Sequence, residues 1–320
     1  MNKISIIIPC FNEEAVLPEL FGRLGMVAAA WGLEAEFVCV DDGSHDRTWE
    51  LLKLQHARDP RWRAIAFARN FGHQIAVSAG LFYSTGDVVV VLDADLEDPP
   101  EVITQLIAKW REGFDVVYAV RKKRKEGLFK RLCYWIFYRL MARLVAFDVP
   151  LDSGDFCLLS RRVVEIINAL PERNRFVRGL RAWSGFRQTG VRYERAARFA
   201  GNPKYTFSKL VKLATDGLFS FSTVPLRMAT YLGLSVSGIA FLGVLFTFLQ
   251  KIFSEQFKRI GLEPSPGFPT IVMSVLFLGG IQLICLGILG EYIGRIYEEV
   301  KGRPLWILRD SAGIVPAEKK

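Results

Sequence analysis

The chain has 320 residues, room for about two domains of the usual size. Hydrophobic residues make up 51% and charged residues 23%, and the mean hydropathy is +0.21. This composition excludes a disordered or fibrous chain and is more apolar than that of an ordinary soluble enzyme, which predicts a part embedded in lipid. The excess of 42 basic over 33 acidic residues favours an anionic partner, whether a phosphate-rich ligand, a nucleic acid or a membrane surface.

The five cysteines are widely spread without a Cys-x-x-Cys pair, and the chain has three histidines. A disulfide framework and a histidine-rich metal site are therefore disfavoured, and we interpret the cysteines as incidental thiols in a reducing compartment. The N-terminal segment lacks the long apolar region and the cleavage site of a signal peptide. We interpret the apolar run that ends at Pro9 as a first strand on the cytoplasmic side.

Short apolar runs alternate with helix-compatible segments over the first 120 residues. The predicted strands are 4–8, 36–40, 63–67, 88–92 and 116–119, and the predicted helices are 14–29, 47–57, 74–83 and 101–112. Strands separated by helices predict an α/β domain with a mostly parallel sheet that is covered on both faces. Ligands bind such sheets beyond the carboxyl ends of the strands, so the functional site is expected there.

A basic run at 121–125 precedes a segment at about 128–147 in which apolar residues recur at helical spacing, and a second candidate lies at about 207–221. We interpret both as amphipathic helices on anionic lipid, because each basic residue near such a surface adds roughly 1 kcal/mol to binding. A nucleic-acid-binding tract is disfavoured. Ordinary packed helices with one solvated face are the alternative.

Two long runs without charged residues follow, at 228–250 and 264–290. About 20 helical residues cross a hydrocarbon core of roughly 30 Å, so each run is long enough to span a bilayer. We predict transmembrane helices at about 228–250 and 270–293. The alternative is a pair of buried core helices in a soluble protein.

Basic residues flank the predicted pair of helices and predict its orientation. They are Arg227 before the first helix and Arg295, Lys301, Arg303 and Arg309 after the second. Positive residues favour the cytoplasmic side of a membrane. The predicted organisation is therefore a cytoplasmic domain at 1–227, a two-helix transmembrane domain at 228–294 and a cytoplasmic tail at 295–320.

Polar side chains follow each of the five predicted strands. They are Asn12 and Glu13 after the first, Asp41, Asp42 and Ser44 after the second, Arg69 and Asn70 after the third, Asp93 and Asp95 after the fourth, and Arg121 after the fifth. Several of these residue types cap helices, and a cap explains any one of them alone. Five such groups at the same edge of one sheet predict a polar ligand site.

Asp93 and Asp95 lie two residues apart at the end of an apolar strand, where their charges repel unless a cation or hydrogen bonds offset them. Carboxylate oxygens suit Mg²⁺ or Mn²⁺, which usually enter a site together with substrate phosphates. Neither Gly-x-x-x-x-Gly-Lys-[Ser/Thr] nor Gly-x-Gly-x-x-Gly occurs. The pair therefore predicts a diphosphate ligand held by metal and arginine.

These motifs resemble the polyprenyl-phosphate group of the family 2 inverting glycosyltransferases, most closely its GtrB-like bacterial glucosyltransferases. The likeness rests on Pro9-x-Phe11-Asn12-Glu13, Val40-Asp41-Asp42-Gly43-Ser44, Arg69-Asn70-Phe71-Gly72, Asp93-Ala94-Asp95-Leu96-Glu97-Asp98-Pro99-Pro100-Glu101, Ser153-Gly154-Asp155-Phe156, Leu170-Pro171-Glu172-Arg173, Arg198-x-x-Gly201-x-x-Lys204-Tyr205 and Gly290-Glu291-Tyr292-Ile293-Gly294-Arg295. It extends over almost the whole chain. Dolichyl-phosphate mannose synthases and the aminoarabinose transferase ArnC are related.

The resemblance implies a GT-A-type nucleotide-diphospho-sugar transferase domain and a role for each matching residue. Sugar-donor contacts are implied for Pro9, Phe11, Glu13, Val40, Asp42, Arg69, Asp93, Ala94, Asp95 and Glu97, with Asp93 and Asp95 as metal ligands. Catalytic roles are implied for Asp155 and Asp95, and phosphate or acceptor contacts for Arg121, Arg198 and Lys204. Glu97 departs from the usual pattern because Gln is common there, which adds a charge near the metal.

The implied reaction is the Mg²⁺- or Mn²⁺-dependent transfer of a hexose, glucose from UDP-glucose first of all, to undecaprenyl or another polyprenyl phosphate. The implied location is the cytoplasmic face of the bacterial inner membrane. Relatives that form tetramers lead us to expect a homo-oligomer. Other nucleotide sugars and a non-catalytic nucleotide-sugar-binding protein are the alternatives, and a processive polysaccharide synthase is disfavoured because Gln-x-x-Arg-Trp does not occur.

Overall fold

The computed structural model describes residues 3–121, 153–173, 175–194, 224–253, 255–256 and 267–315. The strands are β1 Lys3–Cys10, β2 Glu34–Asp41, β3 Trp62–Phe67, β4 Val88–Val91, β5 Val116–Arg121, β6 Ser153–Ser160, β7 Gln188–Tyr193 and β8 Leu308–Ala312. The helices are α1 Leu17–Ala28, α2 Thr48–Arg58, α3 His73–Tyr83, α4 Ile103–Arg111, α5 Arg161–Ala169, α6 Val177–Trp183, α7 Val224–Ile252 and α8 Phe268–Val300, with a 3₁₀ turn at Pro100–Val102. The predicted amphipathic helices at 128–147 and 207–221 lie outside the described residues.

All eight described strands belong to one sheet, in the order β7-β5-β6-β4-β1-β2-β3-β8. Strands β3, β2, β1 and β4 are parallel neighbours, which confirms the predicted mostly parallel sheet. Strand β6 runs antiparallel between β4 and β5, and β7 runs parallel to β5. Because β6 is reversed, its first residues lie at the same edge as the last residues of the parallel strands.

The parallel strands are buried almost from end to end because helices cover both of their faces. Ile4, Ile6 and Ile8 of β1 are fully buried in the larger core, where Phe37 stacks on Trp62 with ring centroids 4.1 Å apart. Continuous β-branched runs of this kind are typical of parallel sheets. The core therefore fixes the strand ends from which the polar loops emerge.

The C-terminal segment, within the range 295–320 predicted as a cytoplasmic tail, contains regular structure. Helix α8 continues to Val300, and residues Arg303–Lys320 group with Met1–Gly217 in one compact unit. Within that segment, β8 pairs antiparallel with β3. The sequence pattern did not predict this strand. Its five residues are mostly polar, and the apolar strand β3 with which they pair is some 240 residues earlier in the chain.

Helices α7 and α8 make up most of a second compact unit, Leu218–Gly302. Their candidate membrane spans, Val224–Gln250 and Phe277–Val300, have mean hydropathies of 2.1 and 1.6. Neither apolar window is buried inside the structure, as a core helix of a soluble protein would be. The two helices therefore have the length and composition to cross a membrane and need apolar surroundings for their exposed side chains.

The amino ends of the parallel strands are joined by a buried carboxylate, Glu36. It accepts hydrogen bonds from the hydroxyl groups of Ser5 and Thr85 at 2.6 and 2.8 Å and forms ion pairs with Lys3 and Arg63 at 2.8 and 3.0 Å. Burial by itself raises the pKa of Glu36, but the hydrogen bonds of Lys3, Ser5 and Thr85 outweigh it and lower the pKa from 4.5 to about 2. The charged form is therefore the form that stabilises the fold.

We predict that Glu36→Gln lowers the free energy of unfolding at pH 7 by about 3 kcal/mol, the equivalent of a pKa lowered from 4.5 to about 2. This stabilisation is complete above the unfolded-state pKa of 4.5 and is lost as the pH falls towards 2. Chemical denaturation of the full chain in detergent measures the difference at several pH values. The control Glu50→Gln, at an exposed ion pair with Arg47, should change stability by less than about 0.5 kcal/mol. Equal losses in both variants would contradict the prediction.

Candidate active site

The loops that leave β1 and β2 are tied to each other at the carboxyl edge of the sheet. The backbone N–H of Asn12 donates to Ser44 Oγ, and the N–H of His45 donates back to Asn12 Oδ1, both at 2.9 Å. The N–H of Glu13 donates to Thr48 Oγ1 at 2.9 Å. Asn12 itself has a φ of 55°, a left-handed conformation that Asn tolerates better than most residues. The two loops therefore form one rigid wall of the site.

Asp42 fixes the next loop, between β3 and α3. Its Oδ1 accepts the N–H of Phe71 at 2.7 Å, and its Oδ2 accepts the N–H of Gly72 at 3.0 Å. Gly43 beside it has a φ of +71°, and a Cβ there would lie 2.5 Å from the carbonyl carbon of Arg69. The backbone of the β3–α3 loop thus passes directly over Gly43. The predicted sugar-donor residues Asp42 and Arg69 come together through this contact.

Asp155, at the start of β6, accepts hydrogen bonds from three side chains. His73 Nε2 and Gln74 Nε2 reach its Oδ2 at 3.1 Å each, and Arg178 Nη2 reaches its Oδ1 at 3.2 Å. Gln74 also accepts the N–H of Val177 at 3.0 Å, so it joins α3 to α6. The predicted catalytic carboxylate is held in a fixed orientation by two helices.

Charge in this cluster is balanced between Asp155 and its cationic neighbours. Burial raises the pKa of Asp155, but Arg178 and His73 outweigh it and hold that pKa well below its usual range. Burial lowers the pKa of His73, but Asp155 and Asp93 outweigh it and raise the pKa to about 9. At neutral pH, Asp155 is therefore a carboxylate and His73 carries a positive charge. A carboxylate with so low a pKa is a weak base.

The loop that carries Asp93 and Asp95 has a strained backbone and an internal hydrogen bond. Leu96 is buried and has a φ of 56°, a conformation that costs an ordinary side chain about 1–2 kcal/mol. Asp95 Oδ1 accepts the N–H of Glu97 at 3.1 Å across this turn. Strain of this kind persists where surrounding contacts determine the backbone, and it is frequent at binding sites.

Asp93 has the properties of a cation ligand. Its Oδ1 is buried and has no hydrogen-bond partner among the described residues. Burial raises the pKa of Asp93 to about 6, with Asp155, Asp98 and Asp95 adding to the rise and His73 opposing it. Within the described part of the chain, no group of three or more ligand side chains forms a closed metal site. The residues present therefore fit an ion that takes one or two carboxylates and completes its shell with ligand oxygens.

Arg121, the last residue of β5, is held by a second buried acid. Its Nε donates to the hydroxyl of Tyr193 at 3.2 Å, and its Nη2 lies 3.8 Å from Asp98 Oδ2. The Tyr193 hydroxyl donates in turn to Asp98 Oδ1. Burial and the Asp98 charge raise the pKa of Tyr193 above its usual value, so it remains a hydrogen-bond donor. This triad orients the Arg121 guanidinium beside the Asp93 cluster.

The sequence-predicted residues differ in burial, and two of them lie outside the described residues. Pro9, Val40, Asp42 and Ala94 are buried, whereas Phe11, Glu13, Asp93, Asp95, Glu97, Arg121 and Asp155 are half-buried and Arg69 is exposed. Arg198 and Lys204 lie outside the described residues. The sugar-donor, metal and acceptor contacts assigned to all of these residues stay predictions.

Sequence reasoning missed His73, Gln74, Asp98, Arg178 and Tyr193. His73 and Gln74 directly follow Arg69-Asn70-Phe71-Gly72, so their place at the start of a helix beyond a site loop was a usable signal. Asp98 directly follows the Asp93–Glu97 loop. Arg178 and Tyr193 lie on α6 and β7, elements for which the sequence pattern gave no prediction, so only the tertiary fold brings them to the site.

Comparison with known proteins agrees with this fold. Residues 5–167 match the family model "Glycosyl transferase family 2", and residues 224–296 match "GtrB C-terminal hairpin". The chain is therefore a glycosyltransferase of the GT-A type. It belongs to glycosyl transferase family 2 and carries the C-terminal hairpin of GtrB proteins.

Three relatives resemble the chain along nearly its whole length. The uncharacterized glycosyltransferase YkcC of Bacillus subtilis is 45% identical over 97% of this chain and 94% of its own. The uncharacterized glycosyltransferase sll0501 of Synechocystis is 43% identical over 99% of this chain and 98% of its own. The SfII prophage-derived bactoprenol glucosyl transferase of Shigella flexneri is 43% identical over 97% of this chain and 98% of its own.

We predict that Gly43→Ala lowers the affinity for the sugar donor about tenfold or more, because the added Cβ displaces the backbone of Arg69 and Asn70. Gly32→Ala is the matched control, since Gly32 has a similar φ of +64° and nothing within 4 Å of its Cβ position. Both variants carry the left-handed strain, and only Gly43→Ala carries the clash. Titration with nucleotide sugar measures the affinity. Equal affinity in the two variants would show that the contact at Gly43 does not shape the site.

Proposed function

We propose that the chain transfers one glucose residue from UDP-glucose to a polyprenyl phosphate, such as undecaprenyl phosphate, with inversion at the anomeric carbon. The observation that carries this proposal is the convergence of Asp93, Asp95 and Asp155 at one edge of the sheet, beside the cationic side chains of His73 and Arg178. Such a site can hold a diphosphate, a divalent ion and an acceptor anion together. The family 2 fold supports the reaction class.

The lipid acceptor is supported by the relatives and by the hairpin. Bactoprenol glucosyl transferases of Shigella phages and an Escherichia coli prophage homolog are 42–43% identical to the chain over nearly its full length. The two candidate membrane helices bring the chain to the place where a polyprenyl phosphate is found. A long-chain lipid phosphate cannot leave the bilayer at low cost, so its enzyme must work at the membrane surface.

The chemistry expected of Asp155 follows from its low pKa. A phosphate monoester already carries about −1.5 to −2 charges at pH 7 and attacks without losing a proton to a base. Asp155 therefore positions groups for this attack, and its hydrogen bonds to His73 and Arg178 keep two cations beside the reacting phosphates. Arg121 adds a third cation from β5. These charges favour departure of the nucleoside diphosphate.

Mg²⁺ or Mn²⁺ is part of the proposal. Asp93, whose buried Oδ1 accepts no hydrogen bond among the described residues and lies 3.7 Å from His73 Nε2, and Asp95 in the adjoining turn are the residues that would hold it. When bound, the ion supplies positive charge to the diphosphate leaving group. Both ions prefer oxygen ligands, so the proposal covers either of them.

The proposed location is the cytoplasmic face of the bacterial inner membrane. The catalytic unit contains Met1–Gly217 and Arg303–Lys320, so the chain leaves it before the hairpin and returns to it afterwards. Two membrane crossings return the chain to its starting side. Basic residues on both flanks of the hairpin favour the cytoplasm as that side. Self-association of several chains, as a tetramer or another homo-oligomer, remains an expectation from the resemblance.

Other sugar donors are the alternative within the same reaction class. GDP-mannose, UDP-N-acetylglucosamine, UDP-galactose and a UDP-aminoarabinose derivative differ from UDP-glucose by groups that a few hydrogen bonds distinguish. Glucose is favoured by the names of the relatives. A panel of these donors, with undecaprenyl phosphate as acceptor and mass spectrometry of the lipid product, tests the assignment. A lipid product carrying another sugar would replace glucose in the proposal.

We predict that Asp95→Asn and Asp155→Asn each lower the rate of lipid product formation at least about 100-fold, because each removes a charge from the reacting cluster. Asp59→Asn is the control, since Asp59 pairs with Arg61 at the opposite edge of the sheet. It should keep wild-type activity. The assay is mass spectrometry of the glycosylated lipid, with thermal unfolding to establish that all variants are folded. Wild-type turnover in a folded Asp155→Asn protein would remove the role assigned to Asp155.

We predict that chelation with EDTA abolishes transfer and that Mn²⁺ or Mg²⁺ restores it, because Asp93 and Asp95 would hold an ion that supplies positive charge to the diphosphate. Binding supplies a second readout that does not need turnover. UDP should raise the Tm of the full chain with metal present and should raise it much less after chelation. Transfer at the same rate in EDTA would exclude the metal from the proposal.

A further inference from the structure

The segment that follows the hairpin reaches the buried end of the candidate sugar-donor site. Strand β8 pairs with β3, the strand whose carboxyl end carries Arg69 and Asn70. The N–H of Ala68, one residue beyond β3, donates to the carbonyl of Ile307 at 2.9 Å. Residues of the C-terminal segment therefore lie beside the same sheet edge from which the site loops emerge.

Arg309 of β8 forms an ion pair with Asp41, the last residue of β2. The Arg309 Nη2 lies 3.3 Å from Asp41 Oδ2, and Asp41 is fully buried. The other oxygen, Asp41 Oδ1, accepts the N–H of Ser44 at 3.0 Å. Ser44 Oγ in turn accepts the N–H of Asn12 at 2.9 Å. A continuous chain of contacts thus runs from Arg309 through Asp41 and Ser44 to the loop after β1.

Other contacts of the same segment fix the position of Arg309. Asp310 accepts a hydrogen bond from Trp49 Nε1 at 3.1 Å, and the carbonyl of Gly313 accepts one from Arg63 Nε at 3.0 Å. Trp306 is buried against Phe67 with ring centroids 6.3 Å apart. The strand is therefore anchored on both sides of Arg309, which fixes the backbone from which its half-exposed side chain reaches Asp41.

We propose that Arg309 is a positioning residue for the sugar-donor site: it holds the buried Asp41 carboxylate in place, and Asp41 sets the position of the loops that contact the nucleotide. An unpaired buried carboxylate is costly, so loss of Arg309 moves Asp41 or the loops that it holds. The C-terminal segment is then a working part of the catalytic unit and not a tail. This inference rests on the proposed function, since it assumes that a uridine nucleotide binds these loops.

The test compares Arg309→Ala, Arg309→Lys and the control Arg303→Ala in the full chain. Arg303 is an exposed cation in the same segment, outside β8. Arg309→Ala should raise the Kd of UDP and the KM for UDP-glucose about tenfold, with kcat and the KM for the lipid phosphate changed less than about twofold. Arg309→Lys should restore much of the affinity, because it keeps the charge. Arg303→Ala should behave as the wild type.

A double-mutant cycle with Asp41→Asn separates action through Asp41 from direct contact with the nucleotide. In the Asp41→Asn background, Arg309→Ala should cause little further loss of UDP affinity. If Arg309→Ala lowers the UDP affinity by the same factor in the Asp41→Asn background as in the wild type, Arg309 acts independently of Asp41 and the inference is overturned. A lower Tm for Arg309→Ala with unchanged UDP affinity would also overturn it, since the contact would then be purely structural.

The UDP titration distinguishes failure of this inference from failure of the proposed function. If the wild type binds UDP but glycosylates no lipid, the proposed acceptor is wrong, and the affinities of the Arg309 variants still decide the role of Arg309. If the wild type glycosylates lipid and Arg309→Ala keeps full UDP affinity, only the inference fails. If the wild type binds no UDP, both fail together.

Discussion

The candidate site is constrained above all by the assembly of negatively charged side chains at one edge of the sheet. Asp93, Asp95, Asp98 and Asp155 influence one another there: burial raises the pKa of Asp93, and repulsion from the other three carboxylates adds to the rise. Buried carboxylates at such spacing persist only when cations and hydrogen bonds compensate them. His73 and Arg178 compensate Asp155, and Arg121 with Tyr193 compensates Asp98. Asp93 Oδ1 accepts no hydrogen bond among the described residues and faces only the more distant His73 Nε2 at 3.7 Å, which is why we propose Asp93 as a ligand for a divalent ion.

The loops that carry these charges are held by contacts with one another. Asn12 is bonded to Ser44, Asp42 to Phe71, and Asp95 to Glu97, so each loop is positioned by the neighbouring loop or by its own turn. Such loops lose little conformational entropy when a ligand binds. The free energy of binding is then more favourable than it would be for mobile loops with the same contacts. The left-handed conformations of Asn12 and Leu96 are the energetic cost of this preorganisation.

Sequence patterns predicted those features that depend on neighbouring residues. The apolar run of β1, the helical spacing of α4 and the carboxylates after β4 are all local, and the parallel sheet with its polar edge followed from them. The antiparallel strands β6 and β8 were not predicted, because their partners are far away in the chain and a strand's direction is not encoded in its own pattern. The same reason explains the missed cations. Arg178 has no local feature that distinguishes it from a surface arginine, and only packing of α6 against the sheet brings it to Asp155.

The discontinuity of the catalytic unit links synthesis of the hairpin to completion of the candidate site. Strand β8 lies after α8 in the chain, so its pairing with β3 cannot form until both helices of the hairpin have been synthesised. Until then, the outer edge of β3 has no partner strand, the aromatic cluster around Phe67 lacks Trp306, and Asp41 lacks Arg309. An unpaired strand edge and an uncompensated buried carboxylate both disfavour the final fold. The candidate site therefore reaches its final form only after both helices of the hairpin exist, and a chain cut before the hairpin would lack the strand β8 and the contact of Arg309 with Asp41.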